Sequence, residues 1–432
     1  MRKSRRPGLT TRQKRGDFKS FKIQTRNIDS EIGKLIASLD VSAFKGIKAK
    51  QHLQSYSFQE LCLELIEKLS YRDTADTINR FLHLEGESSL KYTTLEDRVE
   101  SVGKALSSAY EIKTESILET HGVDKSSGVV SELSMIPAET RIPNMPSVYE
   151  EKYVRKLISD YNRGRDSLLK LKYSQQTANI EADTERCCYI RIDDVGVKHQ
   201  KPSRSGKSDK SRKYVENTVI HIQVGDKQYT ITAIGMDKAF KRLLAFLLEN
   251  RLMEDNRLIF LTDGAVNIRD RINKYFAFRE KTIILDWLHL EKKCYEYMSM
   301  AVKGTKSEKE EMKKTLTAVL WTGRADKALK YLKNIKNKNI KNISKLEELE
   351  DYIQRKSPNI PCYALRHELG LTISSNRVEK ENDLIVASRQ KHNGMAWSDK
   401  GSGALSIIKA ALHNKELKAW ITSQKIQFKM CA

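Results

Sequence analysis

CCYIRIDDVGVKHQ, residues 187–200, sets two acids in the middle of an apolar run. Tyr189 to Val197 is rich in β-branched and aromatic residues and reads as a strand. Asp193 stands between Ile192 and Val195. A charge in such a strand costs several kcal/mol unless it is paired or holds a metal, so Asp193 is a candidate functional group. Strand side chains alternate, so Asp193 and Asp194 face opposite sides, and the period alone does not say which faces a site.

The pattern continues downstream. VENTVIHIQVG and KQYTITAIGM are β-rich and separated by Gly225 and Asp226, a hairpin signal. DKAFKRLLAFLLEN is an amphipathic helix. NRLIFLTDGA predicts a buried-type strand, Leu258 to Leu261, ending at Asp263-Gly264. NIRDRINKYF is a short helix, and KTIILDWLHL a last strand, Thr282 to Leu285, ending at Asp286. Three strands, helix, strand, helix, strand make an α/β core over 184–287.

The flanks read as helical. Residues 288–370 predict a basic helical insertion carrying GTKSEKEEMKKTLTAVLW, RADKALKYLKNI and SKLEELEDYIQRK, with KNIKNKNIKNISK as a solvated connector. Residues 371–432 complete the core with a helix from about Asn376, a break at Gly394, and a helix from about Ser402. Upstream, 134–183 is a linker containing Pro137, Pro143 and Pro146, then a helix to about Lys172. Residues 27–133 predict helices over 27–40, 56–69, 71–81 and from Thr93 or Thr94, with a mixed helical register to Leu133. Helices of this size are compatible with a helix-turn-helix reader of the major groove, or with any small helical bundle. Lys91 and Arg98 are its candidate DNA contacts. Residues 1–26 form a basic arm.

Composition narrows the partners. Seventy-eight Lys and Arg against 56 Asp and Glu leave a net charge of +22, which favours a polyanion: DNA, RNA or an anionic surface. No window approaches the ~18 apolar residues of a membrane span. The first residues lack the apolar stretch of a signal peptide. Six cysteines without a C-x-x-C pair point to a reducing compartment and to no structural zinc.

Asp193 and Asp263 sit in or at the end of buried-type strands, and Glu379 in the polar first turns of a helix. Three such acids can converge on two divalent cations ~3.5–4 Å apart, the arrangement that serves phosphoryl transfer. Mg²⁺ is the natural guest of carboxylates, with Mn²⁺ substituting. Glu381 and Asp383 compete with Glu379 for the third place. Asp286 with His289 reads as a hydrogen-bonded pair or a metal edge. No phosphate-binding P-loop and no serine-nucleophile elbow is present. Arg377, Arg389 and Lys391 line the glutamate segment. Trp397 is either a base-stacking platform or a core anchor. Arg204, Lys207 and Arg212, in a loop with seven basic residues over 198–213, are candidates to clamp a phosphate backbone.

Four blocks carry a resemblance. They are Tyr189-Ile190-Arg191-Ile192-Asp193-Asp194; Asp263-Gly264-Ala265; Leu285-Asp286 with His289-Leu290; and Ser375-Asn376-Arg377-Val378-Glu379 with Arg389-Gln390-Lys391 and Gly394-Met395-Ala396-Trp397-Ser398. Acids on strands one and four are similar to the RNase H-like fold. The order resembles the DDE transposases of bacterial insertion sequences, and within them the Lre2-type branch. The likeness covers about 185–405 and extends weakly into 56–107. It implies a metal-dependent nuclease and strand transferase with Asp193, Asp263 and Glu379 as catalytic triad. Its partners would be double-stranded DNA at terminal inverted repeats and at the target, bound by at least a dimer. A nuclease of the same fold that does not join strands, and a non-catalytic DNA-binding derivative, remain alternatives.

Overall fold

The computed structural model describes residues 10–15, 20–25, 56–86, 89–123, 148–174, 177, 180–200, 213–254, 256–336, 340–391 and 395–431. The expected helix over 27–40, most of the proline-bearing linker, Gly394 and the loop with Arg204, Lys207 and Arg212 lie outside these residues. The chain divides into two compact units. One comprises Met1–Ala109, Lys198–Lys213 and Ile385–Gln427, the other Tyr110–Val197, Tyr214–Leu384 and Phe428–Ala432.

The larger unit is a mixed α/β domain built on five strands: β3 (Cys187–Lys198), β4 (Tyr214–Val224), β5 (Lys227–Ile234), β6 (Arg257–Thr262) and β7 (Lys281–Leu285). Their order across the sheet is β5-β4-β3-β6-β7. β4 and β5 form the expected antiparallel hairpin, closed at Val224 and Lys227. Gly225 turns it at φ +53°, a conformation that costs glycine little. β6 runs parallel to both β3 and β7. Parallel neighbours need a covered crossover. Here α5 (Met236–Glu249) and α6 (Val266–Tyr275) supply the links. The β6 side chains Leu258 to Leu261 are all fully buried, so that strand reads as an unbroken apolar run.

Four helices follow β7, α7 (Trp287–Ala301), α8 (Lys306–Trp321), α9 (Ala325–Lys336) and α10 (Ile343–Lys356), and then the short α11 (Tyr363–Glu368). Thr305 and Glu308 close a capping box at the start of α8, and Asn342 caps α10. These helices share one core with the sheet. Leu290, Leu316, Leu332, Leu349 and Ile353 belong to the same buried cluster as Ile259 and Leu285. The insertion is therefore part of the sheet's packing.

Two helices differ from the sequence expectation. α4 (Glu151–Asn162) ends ten residues before Lys172. Asn162 takes the backbone N–H and C=O of Leu171 with its side-chain amide (2.7 and 3.0 Å), and Gly164 turns the chain at φ +74°. A side-chain bridge to the backbone competes with further helix there. Conversely, α3 (Tyr92–Thr120) runs unbroken for 29 residues where a shorter helix and a mixed register were expected.

The smaller unit holds β1 (Thr10–Arg15) and β2 (Ser20–Thr25), paired antiparallel within the basic arm. It also holds α1 (Tyr56–Lys68), α2 (Tyr71–Phe81), the first part of α3, α13 (Asp399–His413) and α14 (Leu417–Ser423). Ser70 caps α2 by accepting from the Asp73 N–H at 3.0 Å. Gly103 lies where α3 and α13 touch. A Cβ there would stand 2.3 Å from Ala404 Cβ, so only glycine permits the approach. Among the described residues no helix is long and apolar enough to cross a membrane.

Candidate functional site

Register brings the acids of the sheet together. Ile192 pairs with Thr262, and Thr262 with Leu285. The next residues on three neighbouring parallel strands are Asp193, Asp263 and Asp286. Adjacent strands lie about 4.8 Å apart, so three carboxylates start from one edge of the sheet, at its carboxyl ends. Ligand groups gather at such edges in open α/β sheets.

Each takes a different course. Asp263 accepts from the Ala265 N–H at 2.7 Å and so opens α6. Gly264 follows at φ +85°; a Cβ on it would press into Leu285 at 2.6 Å. The Lys356 ammonium, from the end of α10, donates to the Gly264 carbonyl. Thus the helical insertion pins the turn that carries Asp263.

Asp193 faces α12 (Asn376–Asn382), the helix of the glutamate block, and accepts from the Asn382 amide. Asp194 turns the other way and accepts from Thr218 at 2.6 Å, as the strand period requires. Burial pushes the Asp193 carboxyl up to about 6. The Asp194 N–H opposes this rise, the nearby Asp263 charge adds to it, and His289 again opposes it. Arg191, two residues earlier on the same face, is buried beside His221 and Gln223. Desolvation, then repulsion from Arg377, lowers its pKa to about 10.

Asp286 becomes a structural hub. Its side chain is buried, 1% exposed, and accepts from the His289 N–H at 2.8 Å, from the His289 ring, and from both the N–H and hydroxyl of Ser375. Burial alone would raise this carboxyl; these bonds together hold it below the usual range. One side chain thereby caps α7 and anchors the start of α12. Of the two roles open to Asp286 and His289, the hydrogen-bonded pair is the one present. Asp286→Asn would set an amide N–H against the Ser375 N–H. It is expected to cost about 3 kcal/mol, read as a lower urea midpoint at unchanged slope.

Glu379 is exposed on the first turn of α12. The His289 imidazole links it to the others. That pKa is raised by the Asp286 hydrogen bond against the effect of burial, and the charges of Asp286, Asp263 and Glu379 add to the rise. Of the competing acids, Glu381 is buried and accepts from Thr230 at 2.9 Å, and Asp383 is exposed. His289 is the group the sequence reading undervalued. Its signal was the i, i+3 spacing from a strand-ending aspartate.

The donor chemistry suits a hard divalent cation. Asp193 and Asp263 crowd like charges together, and the buried Asn382 Oδ1 beside Asp193 has no hydrogen-bond partner. Among the described residues, however, no three His, Cys, Asp or Glu stand close enough to form a ready-made cage.

The predicted DNA contacts divide. Lys91, Arg377 and Lys391 are exposed, and Arg98 is half-buried. Arg389 corrects the sequence expectation, and Trp397 takes the second of its two expected roles, because both are interior to the smaller unit, at 4% and 7% exposure. Arg389 donates to the carbonyls of Leu69 (2.8 Å) and Ile66 (3.3 Å) and stacks on Tyr71 and Trp397. Trp397 donates to the Gln390 carbonyl at 3.1 Å. Free carbonyls at the end of α1 attract the guanidinium inward. Trp397 is the core anchor, and its ring faces are spent on packing.

No known family model and no curated protein matches the chain. Among solved structures, the Drosophila P element transposase strand transfer complex matches 65% of this chain and 75% of that one. The identity is 12% and the TM-score 0.21, a distant structural match.

Proposed function

We propose that this chain is a DNA transposase of the RNase H-like class, cutting and rejoining phosphodiesters with Asp193, Asp263 and Glu379 as its reactive carboxylates. The supporting observation is the register that sets Asp193 and Asp263 side by side, with α12 fastened over Asp193. The sheet order, with the hairpin on one side of β3 and parallel strands on the other, supports the RNase H-like assignment.

Asp193, Asp263 and Glu379 would hold Mg²⁺ or Mn²⁺, with Asn382 Oδ1 as a further oxygen donor. When bound, the ions supply an activated water or 3'-hydroxyl and stabilise the leaving oxygen. The chain's own residues position the parts. Asp286 fixes the start of α12 against β7. Lys356 fixes the Asp263 turn. His289, held by Asp286 through Nδ1 and within reach of the Asp263 and Glu379 charges, would use its second ring nitrogen to donate to a phosphate oxygen. Lys91 and Arg377 are surface contacts for the duplex. End pairing requires at least a dimer on DNA.

The test is cleavage and joining of a labelled duplex carrying the repeat that flanks the coding segment, with Mg²⁺ or Mn²⁺. Wild type is compared with Asp193→Asn, Asp263→Asn and Glu379→Gln. Cutting without joining, even from pre-cleaved ends, would move the reading to a simple nuclease. Binding that survives without any cutting would move it to a non-catalytic DNA-binding protein.

A further inference from the structure

A groove of about 670 Å³ lies between α4 and the segment that follows it. Arg155, Arg163, Lys170 and Lys172 line it, and no carboxylate does. Through Lys172 and Tyr173 it meets a second hollow of about 590 Å³, walled by the α8–α9 turn and the end of α10. Arg324 stands there with Asp326 as its partner at 3.1 Å, among Ser174, Thr177 and Thr322.

The charges are of two kinds. Arg155 and Arg163 are tied to Glu151 (2.6 Å) and Asp160 (2.9 Å) on their own helix or its end. Arg155 also lies over the Tyr173 ring at 4.1 Å. Lys170 and Lys172 are exposed and have no ion pair among the described residues. Two free ammonium groups two residues apart, beside hydroxyls and an aromatic–guanidinium stack, suit a repeating anion. Phosphodiester backbones are recognised by this mixture of Lys, Arg and hydroxyl groups. The open form speaks against a small-molecule pocket.

The position adds a reason. Gln354 and Ser357 wall the second hollow, while Lys356 between them reaches the Gly264 carbonyl behind Asp263. The end of α10 thus has the second hollow, which meets the groove at Lys172 and Tyr173, on one side and the reactive turn on the other.

We propose that this groove binds the sugar–phosphate backbone of DNA outside the segment being cut, with Lys170 and Lys172 as its phosphate contacts. The inference rests on the reading of the chain as a DNA-processing protein, but its test is a binding measurement. Affinity for a labelled duplex and for a labelled single strand is measured from about 50 to 200 mM salt for wild type and for Lys170→Gln/Lys172→Gln.

Each lost phosphate contact lowers the salt slope by about 0.9 on duplex and about 0.7 on a single strand. The double variant is expected to lose about 1.8 in slope on duplex and about 30-fold in affinity near 0.15 M salt, at an unchanged melting temperature. A loss of about 1.4 confined to the single strand also supports the groove and identifies the form it holds. Unchanged slope and affinity on both probes, or no wild-type binding, overturns it. Asp193→Asn serves as the parallel arm. If it abolishes cleavage while the lysine variant binds normally, the groove alone fails. If it cleaves normally while the lysine variant loses slope, the catalytic reading alone fails.

Discussion

Asp193→Asn is expected to lower DNA cleavage by about 10³-fold or more while duplex affinity stays within about twofold. A metal-bound carboxylate contributes several kcal/mol at the transition state, and 4 kcal/mol corresponds to about three decades in rate. Asparagine keeps the shape, so the packing of α12 over β3 is retained. Asp263→Asn should behave alike, because its amide oxygen still accepts from the Ala265 N–H. Glu379→Gln lies on an exposed turn and should leave the melting temperature unchanged. Quantitative cleavage under single-turnover conditions reads all three. Full activity in Asp193→Asn would sink the enzyme reading. Full activity in Glu379→Gln with loss in Asp383→Asn would move the third role along the helix.

The second large effect concerns stability. Glu181 is buried, 1% exposed, and accepts a forked pair from Arg366 at 2.6 and 3.0 Å and a third bond from the Tyr189 hydroxyl at 3.2 Å. Glu181→Ala leaves the buried Arg366 charge without its partner and should cost about 3–5 kcal/mol. Adding Arg366→Met should recover part of that loss, since it removes the stranded charge. Burial would raise the Glu181 carboxyl, but the Arg366 charge and hydrogen bonds outweigh it and hold the pKa below its usual range. A depressed carboxyl stabilises the fold above its unfolded pKa of about 4.3. That contribution is lost as pH falls through the lower, folded value. The gap in urea midpoint between wild type and Glu181→Ala should therefore be full at neutral pH and shrink at acid pH. A gap that is constant with pH would show that the pair does not carry the effect.

The sheet was legible because its strands are short, apolar and separated by turn residues. Leu258 to Leu261 can hardly be anything but a buried strand, and Asp193 and Asp263 announce themselves by their apolar surroundings. What the sequence could not express was who answers whom across the chain. Asp286 resembles Asp263 in local context, yet Ser375, on the far side of the insertion, turns it into a cap. Arg389 lies in a basic stretch and reads as a DNA contact, but the carbonyls of Ile66 and Leu69 draw it inward. Lys356 ends an ordinary charged helix, and nothing local marks it as the neighbour of Gly264. Helix ends, too, are set by partners outside the helix. Asn162 stops α4 through a bridge to Leu171 that no periodicity reveals.

Asn382 and Asp193 are in contact, though 189 residues separate them along the chain. At about 5–20 residues per second, a ribosome needs about 10–40 s to travel that distance. During that interval the nascent chain carries its first acid without the helix that completes the site, and the whole insertion must be made in between. A polypeptide that stops early, by truncation or premature release, would therefore carry Asp193 and Asp263 without the helix of Glu379 and Asn382, so the proposed cutting would depend on a chain made at least through that helix.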